Sequence, residues 1–279
     1  MLGARQQGEV RIGLMATKIE PIHRWDDIVL PADAVQQLRE LCDRVVHRER
    51  VLEEWGFACK LSLGRGVAAL FSGPPGTGKT MAAEVVANAL GLDLYRIDLA
   101  GVVSKWIGET EKNLDRIFAA ADDANAILFF DEADALFGKR SEVTDSHDRY
   151  ANVEVSYLLQ KIEEYEGIAI LATNTMDNLD EAFLRRLSSV IRFPFPDVEE
   201  RLRIWAGIWP DATPLADDVE WQRLAREHSF SGAEIKNVAL AAAFFAAEAG
   251  EAVTMNHVLH AVRREYEKAG KSYAEAGTP

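Results

Sequence analysis

Gly73-Pro74-Pro75-Gly76-Thr77-Gly78-Lys79-Thr80 spells GxxxxGKT, a spacing whose chemistry is the capture of phosphate. Phosphate binding needs backbone N–H groups turned inward around an anion, and the glycines allow backbone angles that residues with a Cβ resist. Lys79 then supplies a point charge for the outer phosphates, and the Thr80 hydroxyl a ligand for Mg²⁺. A second constellation is Asp131-Glu132, which closes the apolar run Ile127-Leu128-Phe129-Phe130. Ligands of parallel sheets gather beyond the carboxyl ends of strands, where these two acids fall. Asp131 suits the hydration shell of Mg²⁺, and Glu132 suits the orientation and polarisation of an attacking water. Alone, an apolar run ending in two acids is also what an ordinary strand end looks like; the phosphate loop upstream gives it weight. Asn174, after another apolar run, offers an amide that can donate to a phosphate oxygen and hold the same water, or else a turn residue after a strand.

These residues need a scaffold, and the pattern around them supplies one. Val67-Ala68-Ala69-Leu70-Phe71 reads as a strand feeding the loop, and a helical run from Gly78 to Leu90 leaves it. The helix start adds unpaired N–H groups and the positive end of its dipole. Leu92 to Leu99, Ala126 to Phe130, Ile168 to Ala172 and Val190 to Phe195 are further strand candidates, and unbroken apolar runs suit central parallel strands buried on both faces. Leu114, Ile117, Phe118 and Ala121 share one helical face, and Leu158, Leu159 and Ile162 belong to another helix. Asp33 to Trp55 has helical spacing with one weak turn around residues 47–50. Beyond Pro194-Phe195-Pro196-Asp197 no strand is evident, and helices are predicted over 198–208, 219–227, 232–249 and 255–269, with Ser231 and Thr254 as caps. The expected fold class is α/β: a five-stranded, mainly parallel sheet with helices on both faces, plus a small all-helical domain. Residues 1–24 read as a tail or linker, 25–197 as the α/β domain, 198–270 as the helical domain and 271–279 as a frayed end.

Composition narrows the classes. The chain has 279 residues, 48% of them hydrophobic, and a net charge of −14. That charge argues against nucleic acid as the main partner, since such affinity rests on Lys and Arg neutralising phosphates. No run suits a bilayer span or a secretory signal, so a cytoplasmic protein without a membrane partner is expected. Cys42 and Cys59 are too few for a disulfide framework and are read as buried thiols. His147, alone among acids, is read as solvated and not as a metal ligand.

GPPGTGKT at 73–80, SKWIGETEKNL at 104–114, ILFFDEADALFGKR at 127–140, LATN at 171–174, DEAFLRR at 180–186 and SGAEI at 231–235 together resemble the AAA+ ATPases of the AAA-proper branch, over nearly everything from Trp25 to about Lys268. The resemblance implies a five-stranded P-loop sheet with a helical lid, ATP and Mg²⁺ as cofactors, and a homohexameric ring with ATP at subunit interfaces. It implies that the loop from Gly73, Pro74, Pro75, Gly76, Thr77 and Gly78 through Lys79, Thr80 and the following Met81 contacts the nucleotide. Gly232 and Ala233 resemble the lid turn near the adenosine, and Ile28 and Val29 the adenine edge, although apolar packing alone would also account for the latter two. Catalysis would rest on Glu132, Asn174 and Arg186, the last resembling the arginine finger that reaches into a neighbouring subunit, with Arg185 beside it; a solvated basic pair is the plainer reading. The family usually has a second arginine where this chain has Ser189. Trp106, with Lys105 and Ile107, resembles the pore loop that grips a threaded polypeptide, against the alternative of a core anchor, and residues 141–152 resemble the second pore loop. The implied activity is mechanochemical remodelling or unfolding of a protein client; the alternative is a nucleotide-gated assembly protein that threads nothing. A narrower likeness, carried by GKRSEVTDSHDRYANVEVSYLL with DEAFLRRL and FPFPD, is to ATPases associated with bacterial contractile, phage-tail-like injection particles, with a role in particle assembly or recycling.

Overall fold

The structure is a computed structural model and describes residues 16–61, 64–99, 109–133, 156–176 and 184–270. Its strands are β1 (Thr17–Ile19), β2 (Val67–Ser72), β3 (Leu94–Asp98), β4 (Ile127–Asp131), β5 (Ile168–Thr173) and β6 (Ser189–Arg192). They form one sheet in the order β1-β3-β4-β5-β2-β6. The last five are parallel to their neighbours, whereas β1 runs antiparallel to β3 with Thr17 opposite Arg96. The five expected strands are therefore present, and a sixth lies in the stretch read as tail or linker. Three residues give no alternation to detect, and two of them are exposed. Lys18 on this edge pairs with Asp93 at 3.1 Å and lies over the Tyr95 ring, a charged edge of the kind that discourages further pairing.

Strand side chains alternate between faces, and the apolar runs accordingly fill two cores. Leu128, Phe130, Ala169, Leu171, Ala68 and Leu70 pack with Leu114, Ile117, Phe118 and Ala121 of α3 (Glu109–Ala124) and with Leu158 and Ile162 of the helical residues 156–164. Ile127, Phe129, Ile168, Ile170, Ala69 and Phe71 face the other way, onto α1 (Ala32–Val46) and α2 (Lys79–Leu90). The helix expected to run to Trp55 ends at Val46; a π-helical turn follows over Arg50–Glu54. Trp55 is 62% exposed, with the Arg50 guanidinium over its ring. Cys42 is buried, and burial pushes its thiol up to about 11. Cys59, expected to be buried, is exposed because it sits on a short surface turn, Phe57–Lys60.

Contacts divide the chain into two compact units, one drawn from Met1–Pro74 and Lys79–Phe193, the other from Pro75–Gly78 and Pro194–Pro279. The second unit is helical among its described residues: α4 (Val198–Gly207), α5 (Trp221–Glu227), α6 (Gly232–Ala249) and α7 (Met255–Lys268). Asp197 and Glu200 cap α4 reciprocally, and Ser231 and Glu234 do the same for α6, each box satisfying two otherwise orphaned N–H groups. At Thr254, the expected cap of α7, the backbone N–H donates to His257 Nδ1 at 3.2 Å. Trp205, Leu224, Phe230, Ile235, Val238, Val258 and Val262 make the core. Buried Arg201 donates to Ala225 O at 2.9 Å and Pro196 O at 2.6 Å. It thereby ties α5 to the entry of α4. Among the described residues no helix is long and apolar enough to cross a membrane.

Candidate active site

β2 leads into the loop expected to bind phosphate. Its last carbonyl, Ser72 O, accepts from Phe193 N at 2.7 Å, and Gly73 N donates to Thr173 O at 3.1 Å. The loop thus leaves the sheet wedged between the ends of β5 and β6. Gly73 is required there: its φ is +155°, and a Cβ would lie 1.9 Å from Phe193 O. In the second unit Gly76, with φ +77°, accepts from Ala233 N at 3.1 Å through its carbonyl. Both ends of this bond belong to the second unit, Ala233 lying in the first turn of α6 beside Gly232.

Lys79 opens α2 and is only 9% exposed. Its ammonium donates to Gly73 O at 2.6 Å, Pro74 O at 3.0 Å and Asn174 Oδ1 at 3.0 Å. These acceptors offset the cost of burying the charge, yet all three are neutral. A phosphate oxygen, which carries charge, makes the stronger, charge-assisted bond to the same ammonium. Thr80 follows half-buried in the first turn of α2, and Met81 is partly buried against the core.

Neighbouring strands bring the other candidates to the same edge. Ser72 pairs with Thr173 and Phe130 with Leu171, so β4, β5 and β2 end side by side, and Asp131 and Asn174 are the residues at those ends. Asp131 Oδ1 accepts from Glu132 N at 3.0 Å. Glu132 has φ +53° and is exposed. A left-handed backbone is uncommon for a residue with a side chain, and such positions cluster at functional sites. The Thr80 hydroxyl and the Asp131 carboxylate are hard oxygen donors, and Mg²⁺ is ordinarily held by one or two carboxylates with substrate phosphates. The residues present fit that ion.

Arg185 and Arg186 stand on a separate turn. Leu184 and Leu187 pack against the core, Leu187 N donates to Leu184 O at 3.2 Å, and Ser188 N donates to Ala68 O at 2.7 Å. The Ser188 hydroxyl accepts from Ala68 N at 3.2 Å, fastening the turn to the strand that leads into the loop. Arg186 is 46% exposed in its side chain, and its Nε lies 3.8 Å from Glu163 Oε2. Ser189 begins β6, opposite Ala69. Ile28 is buried among core residues and Val29 is half-buried. Lys105, Trp106 and Ile107, and residues 141–152 with His147, lie outside the described residues. Three partners were not legible in the sequence: Phe193 against Gly73, Glu163 beside Arg186, and Asn174 against Lys79. Each pair is set by strand order or by local side-chain geometry, which no spacing encodes.

Comparison with known proteins agrees with this geometry. Residues 69–195 match the family model described as "ATPase family associated with various cellular activities (AAA)". The chain is 33% identical over 276 residues to the proteasome-activating nucleotidase of Methanopyrus kandleri, covering 96% of this chain and 61% of that protein. It is 36% identical over 226 residues to the cell division cycle protein 48 homolog of Archaeoglobus fulgidus, covering 78% of this chain and 30% of that one. With cell division protein C of Sulfolobus acidocaldarius it shares 32% identity over 250 residues, 86% of this chain and 64% of the relative. The chain thus spans less than two thirds of the length of each. A glycine-rich loop, two acids and an amide at adjoining strand ends thus fall within or beside residues 69–195, the stretch that is similar to the AAA ATPase family.

Proposed function

We propose that the chain binds ATP with Mg²⁺, hydrolyses it, and uses the cycle to remodel a protein client. The observation that carries this reading is the bond from Lys79 Nζ to Asn174 Oδ1 at 3.0 Å across a sequence separation of 95, which joins the phosphate-binding lysine to the candidate water-holding amide. In this reading Lys79 exchanges its loop carbonyls for the outer phosphates. Thr80 and Asp131 hold Mg²⁺, which neutralises phosphate charge when bound. Glu132 orients the attacking water and draws on its proton, while Asn174 fixes the water and a phosphate oxygen. Residues 25–197 serve as the ATPase domain and 198–270 as its lid.

Arg186 is proposed to complete the site of a neighbouring copy in a homohexameric ring, its exposure and fastened turn supporting that role. Trp106, with Lys105 and Ile107, is proposed to grip the client. The named relatives include proteasome-activating and cell-division proteins and lend no support to the injection-particle role; the client is proposed only as a polypeptide. The test is calorimetric titration of ATP into Lys79→Ala. Lost binding is expected, because the lysine is the main side-chain charge for the β/γ phosphates; unchanged affinity would remove the assignment of the loop.

A further inference from the structure

Thr173 is 1% exposed and closes the run Ile168-Ala169-Ile170-Leu171-Ala172, all apolar and all buried. A valine would fill such a strand position equally well, so packing does not account for the hydroxyl. Its Oγ donates to Thr175 O at 2.8 Å and accepts from Thr175 N at 3.3 Å. Both bonds close over Asn174, the residue between them. The carbonyl of Thr173, by contrast, accepts from Gly73 N at 3.1 Å, a bond that does not depend on the side chain. One residue therefore serves two ends of the site through two different groups: its backbone fixes where the phosphate loop begins, and its hydroxyl fixes the turn that holds the Asn174 amide against Lys79 at 3.0 Å.

We propose that Thr173 is a positioning residue for hydrolysis, acting through Asn174 by locking residues 173–175 with its hydroxyl. The proposal rests on the reading of Asn174 as a catalytic amide. Removing the hydroxyl frees the turn to move the amide while leaving the strand, the Gly73 bond and the phosphate loop in place. The consequence is a split between turnover and binding that a residue serving only the sheet would not produce.

The test compares ATP affinity, kcat and melting temperature for wild type, Thr173→Val, Thr173→Ser, Asn174→Ala and the Thr173→Val/Asn174→Ala double variant. Thr173→Val should bind ATP within about threefold of wild type and lose roughly ten- to hundredfold in kcat, the scale of cost for misplacing a group by ~1 Å. Thr173→Ser, which keeps the hydroxyl, should recover most of that loss. In the Asn174→Ala background the valine should add less than about twofold, since residues acting as one unit are not additive. Wild-type turnover in Thr173→Val, a serine variant as impaired as the valine, or losses that multiply in the double variant would each overturn the proposal. A valine variant that melts several degrees lower and binds ATP weakly would show that Thr173 serves the sheet, and would overturn it too. Full turnover in Asn174→Ala would instead remove the underlying reading of Asn174, and this proposal with it.

Discussion

Gly73→Ala tests how tightly the phosphate loop is wedged into the sheet. The new Cβ would meet Phe193 O at 1.9 Å and Phe193 C at 2.8 Å, where ordinary contact begins at 3.4 Å. Both atoms are backbone, and Phe193 N is bonded to Ser72 O at 2.7 Å, so no side-chain rotation relieves the overlap. The separation must grow by 3.4 − 1.9 = 1.5 Å, which shifts the start of the loop away from the sheet. Gly91→Ala is the control. Gly91 also has a positive φ, +64°, but nothing lies within 4 Å of its Cβ position, so it feels backbone strain of ~1–2 kcal/mol without a clash. Calorimetry with ATP and thermal melting should separate the two variants. Gly91→Ala should melt a few degrees lower, at about 2–4 °C per kcal/mol for a unit of this size, and bind ATP as wild type does. Gly73→Ala should lose ATP affinity by about tenfold or more, since each hydrogen bond lost to a charged phosphate is worth ~1.5–3 kcal/mol and ~1.4 kcal/mol is tenfold in affinity. Near-normal ATP affinity in Gly73→Ala, or equal weakening in both, would refute the steric argument.

Arg186→Ala should keep ATP binding and lose most turnover, and mixing it with Glu132→Gln subunits should restore part of the activity, because an Arg186-bearing subunit then completes an intact Glu132 site next door; no recovery in rings shown to be mixed would exclude a role in trans. Trp106→Ala should abolish client remodelling with basal hydrolysis intact and Trp106→Tyr should retain it, whereas a marked fall in melting temperature for the alanine variant would make Trp106 a core anchor, at about 3–5 kcal/mol. His228 is buried between Phe230 and Tyr266, and burial lowers its pKa below the usual value. The unfolded chain therefore takes up this proton first as pH falls, so the contribution is full above about pH 6.5 and is lost progressively below it. His228→Gln should flatten the melting temperature between about pH 7 and pH 5; an unchanged slope would contradict this.

The core was legible because burial on both faces leaves unbroken apolar runs. Ile127–Phe130 and Ile168–Ala172 could be read as central strands, and Leu114, Ile117, Phe118 and Ala121 as one helix face, from spacing alone. The loop at 73–80 stood out in the sequence because phosphate chemistry demands glycines and Lys-Thr at fixed offsets. β1 was not, since three edge residues carry no period and their pairing is fixed by β3. Trp55 suggested a continuing apolar face, but helix α1 stops at Val46 and the ring lies under Arg50 at the surface. The Cys59 thiol looked buried by residue type, and a surface turn decided otherwise. At the site, each residue type suggested a chemistry, while the Lys79–Asn174 bond required the strand order that sets β5 beside β2. Thr173 gave no signal because its hydroxyl bonds locally, which any strand-end threonine could do.

Whether these strand ends form a hydrolytic ATP site is decided by Glu132→Gln. The substitution keeps the shape of the side chain and removes the carboxylate proposed to draw on the water's proton. The measurement is steady-state phosphate release with Mg²⁺-ATP, taken beside ATP affinity on the same protein. ATP affinity close to wild type with turnover lowered by about a hundredfold or more is the predicted result, the scale for loss of a general base. Turnover equal to wild type, or wild-type protein that binds ATP without releasing phosphate, would exclude a hydrolytic site built on Glu132.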